Sequence, residues 1–317
     1  MSFRKFRSSW PTGLVVAALL TGCQAAPPAS ADHQTAATPS VTAPALPVPA
    51  SAAARRSPDD AVNLVVAISV DGLNPAAIRK LGRSRTPAFH RLMREGATTL
   101  NARTAREQTR TLPNHTGMLT GRRIDDRKSG HGVTFNSDTG STVHRAGDEY
   151  VASMFDVVHD RGGSTAVFTA KKKFALYKRT WNSLGAKDRA GKDHGRAKID
   201  RFTVDTNNAR LVGKLRAELR RSPRELTFLH LSLPDRAGHG HGFMSKRYLT
   251  AVRQTDRLLG QILNTIDARS ALRRHTLVVL TADHGGSGGS HSKASRLANY
   301  RVPFMAWGPG VARGRDL

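Results

Sequence analysis

Three short apolar runs in this chain stop on, or within two residues of, an aspartate that is followed within four residues by a glycine or a histidine, and that arrangement limits the fold. Asn63 to Val70 runs into Asp71-Gly72, Leu226 to Leu233 into Pro234-Asp235-Arg236-Ala237-Gly238-His239, and Thr276 to Thr281 into Asp283-His284-Gly285-Gly286. Such runs lack polar alternation, so they fit strands buried on both faces, as in parallel sheets. Ser164 to Ala170 and Pro303 to Trp307 are two more. Helical spacing lies between them at Tyr150 to Asp160, Asn208 to Arg220 and Lys246 to Ile266. The pattern predicts an α/β sandwich in which a mainly parallel sheet is flanked by helices. Ligands of such folds sit beyond the carboxyl ends of the strands.

An Asp-Gly turn or an Asp-His pair, taken singly, is ordinarily structural. Several together at strand ends offer oxygen and imidazole ligands to a divalent ion of the zinc type. Asp235 and His239 stand four apart, with Gly238 expected to let the backbone fold back. A further element is Thr109-Arg110-Thr111-Leu112-Pro113-Asn114-His115-Thr116-Gly117. Pro113 suits the first turn of a helix, which puts Thr111 just before it, beside free backbone N–H groups that favour an anion. Thr111 is then either a capping hydroxyl or a nucleophile, and the second role needs a base or a metal to activate it.

In that order, Asp71-Gly72, Thr111-Leu112-Pro113-Asn114-His115, Pro234 to His239 and Asp283-His284-Gly285 resemble the type I phosphodiesterase/nucleotide pyrophosphatase branch of the alkaline phosphatase superfamily. The resemblance covers 62 to 316 and extends to Arg301 to Val311. It implies an alkaline-phosphatase-like sandwich cleaving phosphodiester or pyrophosphate bonds with two divalent ions, zinc or manganese. One ion would be held by Asp71, Asp283, His284 and the Thr111 oxygen, the other by Asp235, His239 and a further histidine. Thr111 would be the nucleophile, and Asn114 with the backbone N–H after Thr111 would bind the phosphoryl oxygens. The best-known members draw the last histidine from far downstream. Here only 33 residues follow His284 and His291 is the only later histidine, so His291 is assigned, with His241 next. Relatives continue past Arg315-Asp316-Leu317 with another helix, which leaves a shortened domain open.

Other features carry less. His131-Gly132-Val133 is expected to be structural. Lys171-Lys172-Lys173 follows a strand end and either binds a substrate's distal phosphate, through Lys173, or forms a solvated edge. Ala186 to Lys198, dense in charge, is expected to be an exposed loop near the site's mouth.

The net charge of +26 attracts polyanions, but without aromatic interleaving it makes no case for a dedicated nucleic-acid partner. No protein partner is inferred. A single cysteine, Cys23, excludes an intrachain disulfide and a cysteine-based zinc cluster. Arg4, Lys5 and Arg7 precede the apolar run Gly13 to Leu20, which fits an export signal and is too short to span a bilayer. Leu20-Thr21-Gly22-Cys23 resembles the lipobox of bacterial lipoproteins, implying a signal over 1–22 and a lipid anchor at Cys23. The Ala/Pro-rich stretch over 23–60 cannot bury enough apolar surface to offset its ordering entropy and is read as a tether. Residues 61–317 are then an extracytoplasmic catalytic domain, at the outer face of the membrane or secreted. The alternatives are a phosphomonoesterase or phosphonate hydrolase of the same superfamily, and a basic, non-enzymatic polyanion-binding lipoprotein.

Overall fold

A computed structural model describes residues 62–183 and 196–317. The expected signal, the tether, Cys23 and most of the 186–198 loop lie outside the described residues. Eight strands form one sheet: β1 Leu64–Val70, β2 Ala97–Arg103, β3 Thr165–Thr169, β4 Arg201–Val204, β5 Leu226–Leu231, β6 Thr276–Thr281, β7 Arg301–Trp307 and β8 Arg315–Asp316. Their order is β4-β3-β5-β1-β6-β7-β2-β8. The five strands from β4 to β6 are parallel, and β7 runs antiparallel to both β6 and β2.

The apolar runs are strands because both faces of the sheet are covered. Val66, Ile68 and Val70 of β1 enter one core with Leu229 and Leu231 of β5, and with Val252, Leu259, Ile262 and Ile266 of the helix Lys246–Asp267. Their neighbours Val65 and Ala67 point to a second core with Phe228, Phe155, Phe174 and Trp181. Alternate residues of one strand thus feed opposite layers, and each fully buried large side chain contributes about 1.5–3 kcal/mol. The helix Pro87–Glu95 is capped from a distance: Asp256 accepts from Ala88 N at 3.2 Å and Phe89 N at 2.8 Å.

Several expectations need correction. The strand expected over Leu226 to Leu233 ends at Leu231, and the helix Leu233–His241 begins at once because Pro234 pre-sets its first turn. Gly238 therefore lies inside a helix and does not fold the backbone back. Its role is space, since a Cβ there would meet the Phe243 ring at 2.6 Å. Thr111 opens the helix Thr111–Thr120 and does not precede it; Arg110 is the N-cap. Lys198 is fully buried and paired with Asp160, unlike the exposed loop end expected there. No helix among the described residues is long and apolar enough to cross a membrane.

Candidate active site

The ends of β1, β5 and β6 are tied together by backbone. Asp235 N donates to Asp71 O at 3.1 Å, and Gly72 N donates to Asp283 Oδ1 at 3.1 Å. Gly72 makes this approach possible: its φ is +70°, and a Cβ would sit 2.9 Å from Asp235 Cα. On this frame the side chains fall into two groups, Asp71 with Asp283 and His284, and Asp235 with His239 and His291. Within each group the potential ligand atoms lie within 4.8 Å of one another. His241 is exposed and belongs to neither.

Hydrogen bonds set which histidine nitrogens are free. His284 Nδ1 faces Gly285 O at 2.9 Å, so it carries the proton and Nε2 keeps its lone pair. His291 Nδ1 donates likewise to Thr109 O, while Thr109 Oγ1 donates back to His291 O. This clasp brings the Gly/Ser turn to the site, placing His291 Nε2 3.0 Å from His239 Nε2 and stacking the His291 ring on His284 at 3.6 Å. The half-exposed His239 lies one helical turn from Asp235, its Nε2 3.3 Å from Asp235 Oδ1.

Four ligand atoms are left wanting. Asp71 Oδ1, Asp235 Oδ1, Asp283 Oδ2 and His284 Nε2 are buried and have no hydrogen-bond partner. Buried polar atoms are ordinarily satisfied, and lone pairs converging from three acids and an imidazole fit divalent cations of the zinc class.

One lysine supplies the counter-charge. Lys171 Nζ lies 2.6 Å from Asp71 Oδ2, 2.6 Å from Asp235 Oδ2 and 3.3 Å from Thr111 Oγ1. Burial disfavours its ammonium, yet the two aspartates outweigh that and raise its pKa. Burial alone would raise Asp71, but Lys171, His230 and His284 hold it well below the usual carboxylate range. Burial and Asp71 also work against ionised Asp235; His239, Lys171 and His284 prevail and lower it. Asp283 is pushed well up by burial and by the charge of Asp71. Three buried carboxylates therefore share one fixed cation. Burial and His284 press His291 down to about 4, which favours the neutral, ligating form.

The structure rearranges the expected substrate contacts. Asn114 Nδ2 donates to Asp283 O at 2.7 Å, and Leu112 N, the backbone group after Thr111, donates to Asn136 Oδ1 at 3.0 Å. Lys173 Nζ also binds Asn136, at 3.0 Å to Oδ1, so it touches the nucleophile's helix through Asn136 and not the acidic centre. Lys171 is the lysine there, and burial pushes Lys173 down to about 8.

Sequence reading missed His230, whose Nε2 lies 2.9 Å from Asp71 Oδ2 while Ala170 N donates to its Nδ1 at 3.3 Å. A lone imidazole in the otherwise apolar run Leu226 to Leu231 was the available signal, because a buried polar group must find a partner. It also missed the support of His115, whose Nδ1 faces Thr111 O and whose Nε2 meets Ser69 Oγ, both at 2.8 Å.

Fold and site define an alkaline-phosphatase-like α/β sandwich with an acid- and histidine-lined centre at the carboxyl edge of its sheet. Residues 65–303 match the family model described as type I phosphodiesterase / nucleotide pyrophosphatase, and the chain belongs to that family. Among curated relatives, the GPI ethanolamine phosphate transferase 1 of Chaetomium globosum is 34% identical over 124 residues, covering 36% of this chain and 13% of that protein. Its Emericella nidulans counterpart is 37% identical over 100 residues, covering 31% of this chain and 10% of that one. The aligned region thus spans about a tenth of these relatives' length. Among solved structures, human ectonucleotide pyrophosphatase/phosphodiesterase 5 superposes with a TM-score of 0.55 at 14% identity, covering 80% of this chain and 90% of that one. A Bacteroides thetaiotaomicron protein from work on the metabolism of multiple glycosaminoglycans gives 0.57 at 15% identity, covering 81% and 69%. At such identities these two speak for the fold.

Proposed function

We propose that the protein hydrolyses phosphodiester or pyrophosphate bonds at this centre, with Thr111 as the nucleophile. The observation that carries the reading is the position of Thr111 Oγ1, 3.3 Å from a lysine that itself bridges an aspartate of each ligand group. The four unsatisfied ligand atoms support two divalent ions, zinc or manganese. Asp71, Asp283 and His284 would hold one, with the Thr111 oxygen, and Asp235, His239 and His291 the other. When bound, such ions supply Lewis-acid activation and charge neutralisation for in-line displacement at phosphorus.

The chain's own groups do the rest. Thr111 Oγ, its proton lost to solvent, attacks phosphorus as the bond to the leaving group breaks and the leaving oxygen is protonated from water. A second water then cleaves the phosphorylated threonine and restores its hydroxyl. Lys171 donates toward Thr111 Oγ1 and favours its ionised form. Asn114 fixes the Asp283 carbonyl with one N–H and keeps its second for a phosphoryl oxygen. Leu112 N–H serves the phosphoryl group only when Asn136 releases it.

The test compares a bis-nitrophenyl phosphodiester with the corresponding monoester, with added zinc and with chelator. A chelator-sensitive preference for the diester supports the reading. A monoester preference moves the protein to phosphatase chemistry, and no zinc-dependent turnover of either ester counts against both. We place the activity outside the cytoplasm on the strength of the Cys23 lipobox; Cys23→Ser would release the protein from the membrane fraction, and unchanged fractionation would sink the anchor.

A further inference from the structure

We propose that the cleft between the Thr104 to Arg110 segment and the loop carrying His291 binds a phosphodiester chain continuing beyond the bond that is cut. This rests on the hydrolase reading and narrows its substrates to polyanionic phosphodiesters. The cleft holds about 730 Å³ and is lined by Arg103, Arg106, Glu107, Arg123 and Ala294. It adjoins a cavity of about 380 Å³ that shares Arg103 and Arg123 and reaches Asn114. Asn114 Oδ1, buried and without a partner, thus belongs to a residue lining the inner end.

Charge decides the ligand class. Glu107 neutralises Arg123 at 2.5 Å. Arg103 bonds only to the oxygens of Asn101 and Ala102, and among the described residues neither it nor Arg106 has an acidic partner. Both guanidinium groups lie over the Tyr300 ring, at 6.0 and 5.1 Å. Arg103 commits only Nη1 to the Asn101 and Ala102 oxygens, and Arg106 makes no side-chain hydrogen bond among the described residues, so both keep donors for an incoming anion, and the guanidinium fork matches phosphate oxygens.

Placement ties the cleft to the chemistry. Since β7 runs antiparallel to both β6 and β2, β2 points the same way as β1 and β6. Arg103, the last residue of β2, therefore lies at the carboxyl edge that holds the acids. The segment that follows carries Thr109, clasped to His291 by reciprocal hydrogen bonds, and ends at Thr111. The cleft's lining over Thr104 to Glu107 is thus the start of the same segment that positions one proposed ligand and the nucleophile.

Binding, not turnover, tests this. The probe is a fluorescein-labelled glycerol-phosphate oligomer, titrated by anisotropy against Asp283→Ala protein over a series of salt concentrations, so that hydrolysis does not interfere. Adding Arg103→Gln with Arg106→Gln should weaken binding about tenfold and flatten the log K against log salt slope by about 1.4, or about 0.7 for each phosphate no longer neutralised. The single Arg106→Gln, at an exposed side chain, should weaken it about threefold with an unchanged Tm. Arg83→Gln with Arg85→Gln removes the same charge at the far end of the helix Pro75–Arg85 and should leave affinity unaltered. Equal weakening by both pairs, or no weakening by the first, overturns the proposal. Arginine-specific binding with no turnover of either ester by the unmutated protein would instead overturn the hydrolase reading and leave the cleft standing.

Discussion

Lys171 Nζ lies 2.6 Å from Asp71 Oδ2, and the same ammonium lies 2.6 Å from Asp235 Oδ2. A protein cation thus stands between the two candidate ligand groups. Replacing it with methionine leaves buried carboxylates without their fixed counter-charge. Lys171→Met should destabilise the chelator-treated protein by about 3 kcal/mol, roughly 10 °C in Tm for a domain of this size. Added zinc should recover most of that loss, because a bound cation replaces the missing charge. Thermal melts of both proteins with and without zinc decide it; identical melts under chelation would remove the proposed role of Lys171.

Phe243 is the packing residue beneath His239 and His291, its ring centroid 5.9 and 6.2 Å from theirs. A Cβ at Gly286 would lie 2.2 Å from that ring. Gly286→Ala should therefore cost about 1–3 kcal/mol through overpacking and weaken zinc binding at least about tenfold, as disturbed ligand support does. Adding Phe243→Leu should recover part of both. Zinc affinity equal to the parent's would show that the ring does not position these histidines.

Acid stability follows Glu95. Burial alone would raise its pKa, but hydrogen bonds from Arg91, Trp307 and Arg94 lower it to about 2 from 4.5. Because the folded value is the lower one, the stabilisation is complete above the unfolded value and fades as pH falls from about 4.5 to about 2. Glu95→Gln should thus lose about 1–2 kcal/mol at neutral pH, after discounting for solvent screening, and converge on the parent near pH 2. Denaturant melts across that range check it, and a constant difference would contradict it.

Asp256 offers separate oxygens to Ala88 N and Phe89 N. Asp256→Ala removes both acceptors and should cost about 1–2 kcal/mol, whereas Asp256→Asn keeps one and should cost about half as much. Equal losses would show that the single oxygen kept by asparagine does no capping there.

The central strands and the acids that follow them were legible because a strand covered on both faces must be apolar until it ends, and what comes next is on display. β2, β4 and β8 were missed. They lie toward the sheet's margins, and Thr98-Thr99-Leu100-Asn101 or Arg201 to Val204 carry the polar, half-exposed residues of such positions. The helices Pro75–Arg85 and Pro87–Glu95 escaped because Gly82, at φ +68°, and Pro87 interrupt their period. That Lys171 reaches the acids was not legible, because three consecutive lysines give no sign of direction. The 3₁₀ turn Lys172–Phe174 decides which of them faces the acids.

The most direct test of the account is turnover of the bis-nitrophenyl diester by Thr111→Ala protein whose zinc content has been measured. The account predicts zinc content close to the parent's and a rate reduced at least about a thousandfold, since the attacking oxygen is gone while the acids and histidines remain. A zinc-loaded Thr111→Ala protein that turns the diester over at the parent's rate would contradict it.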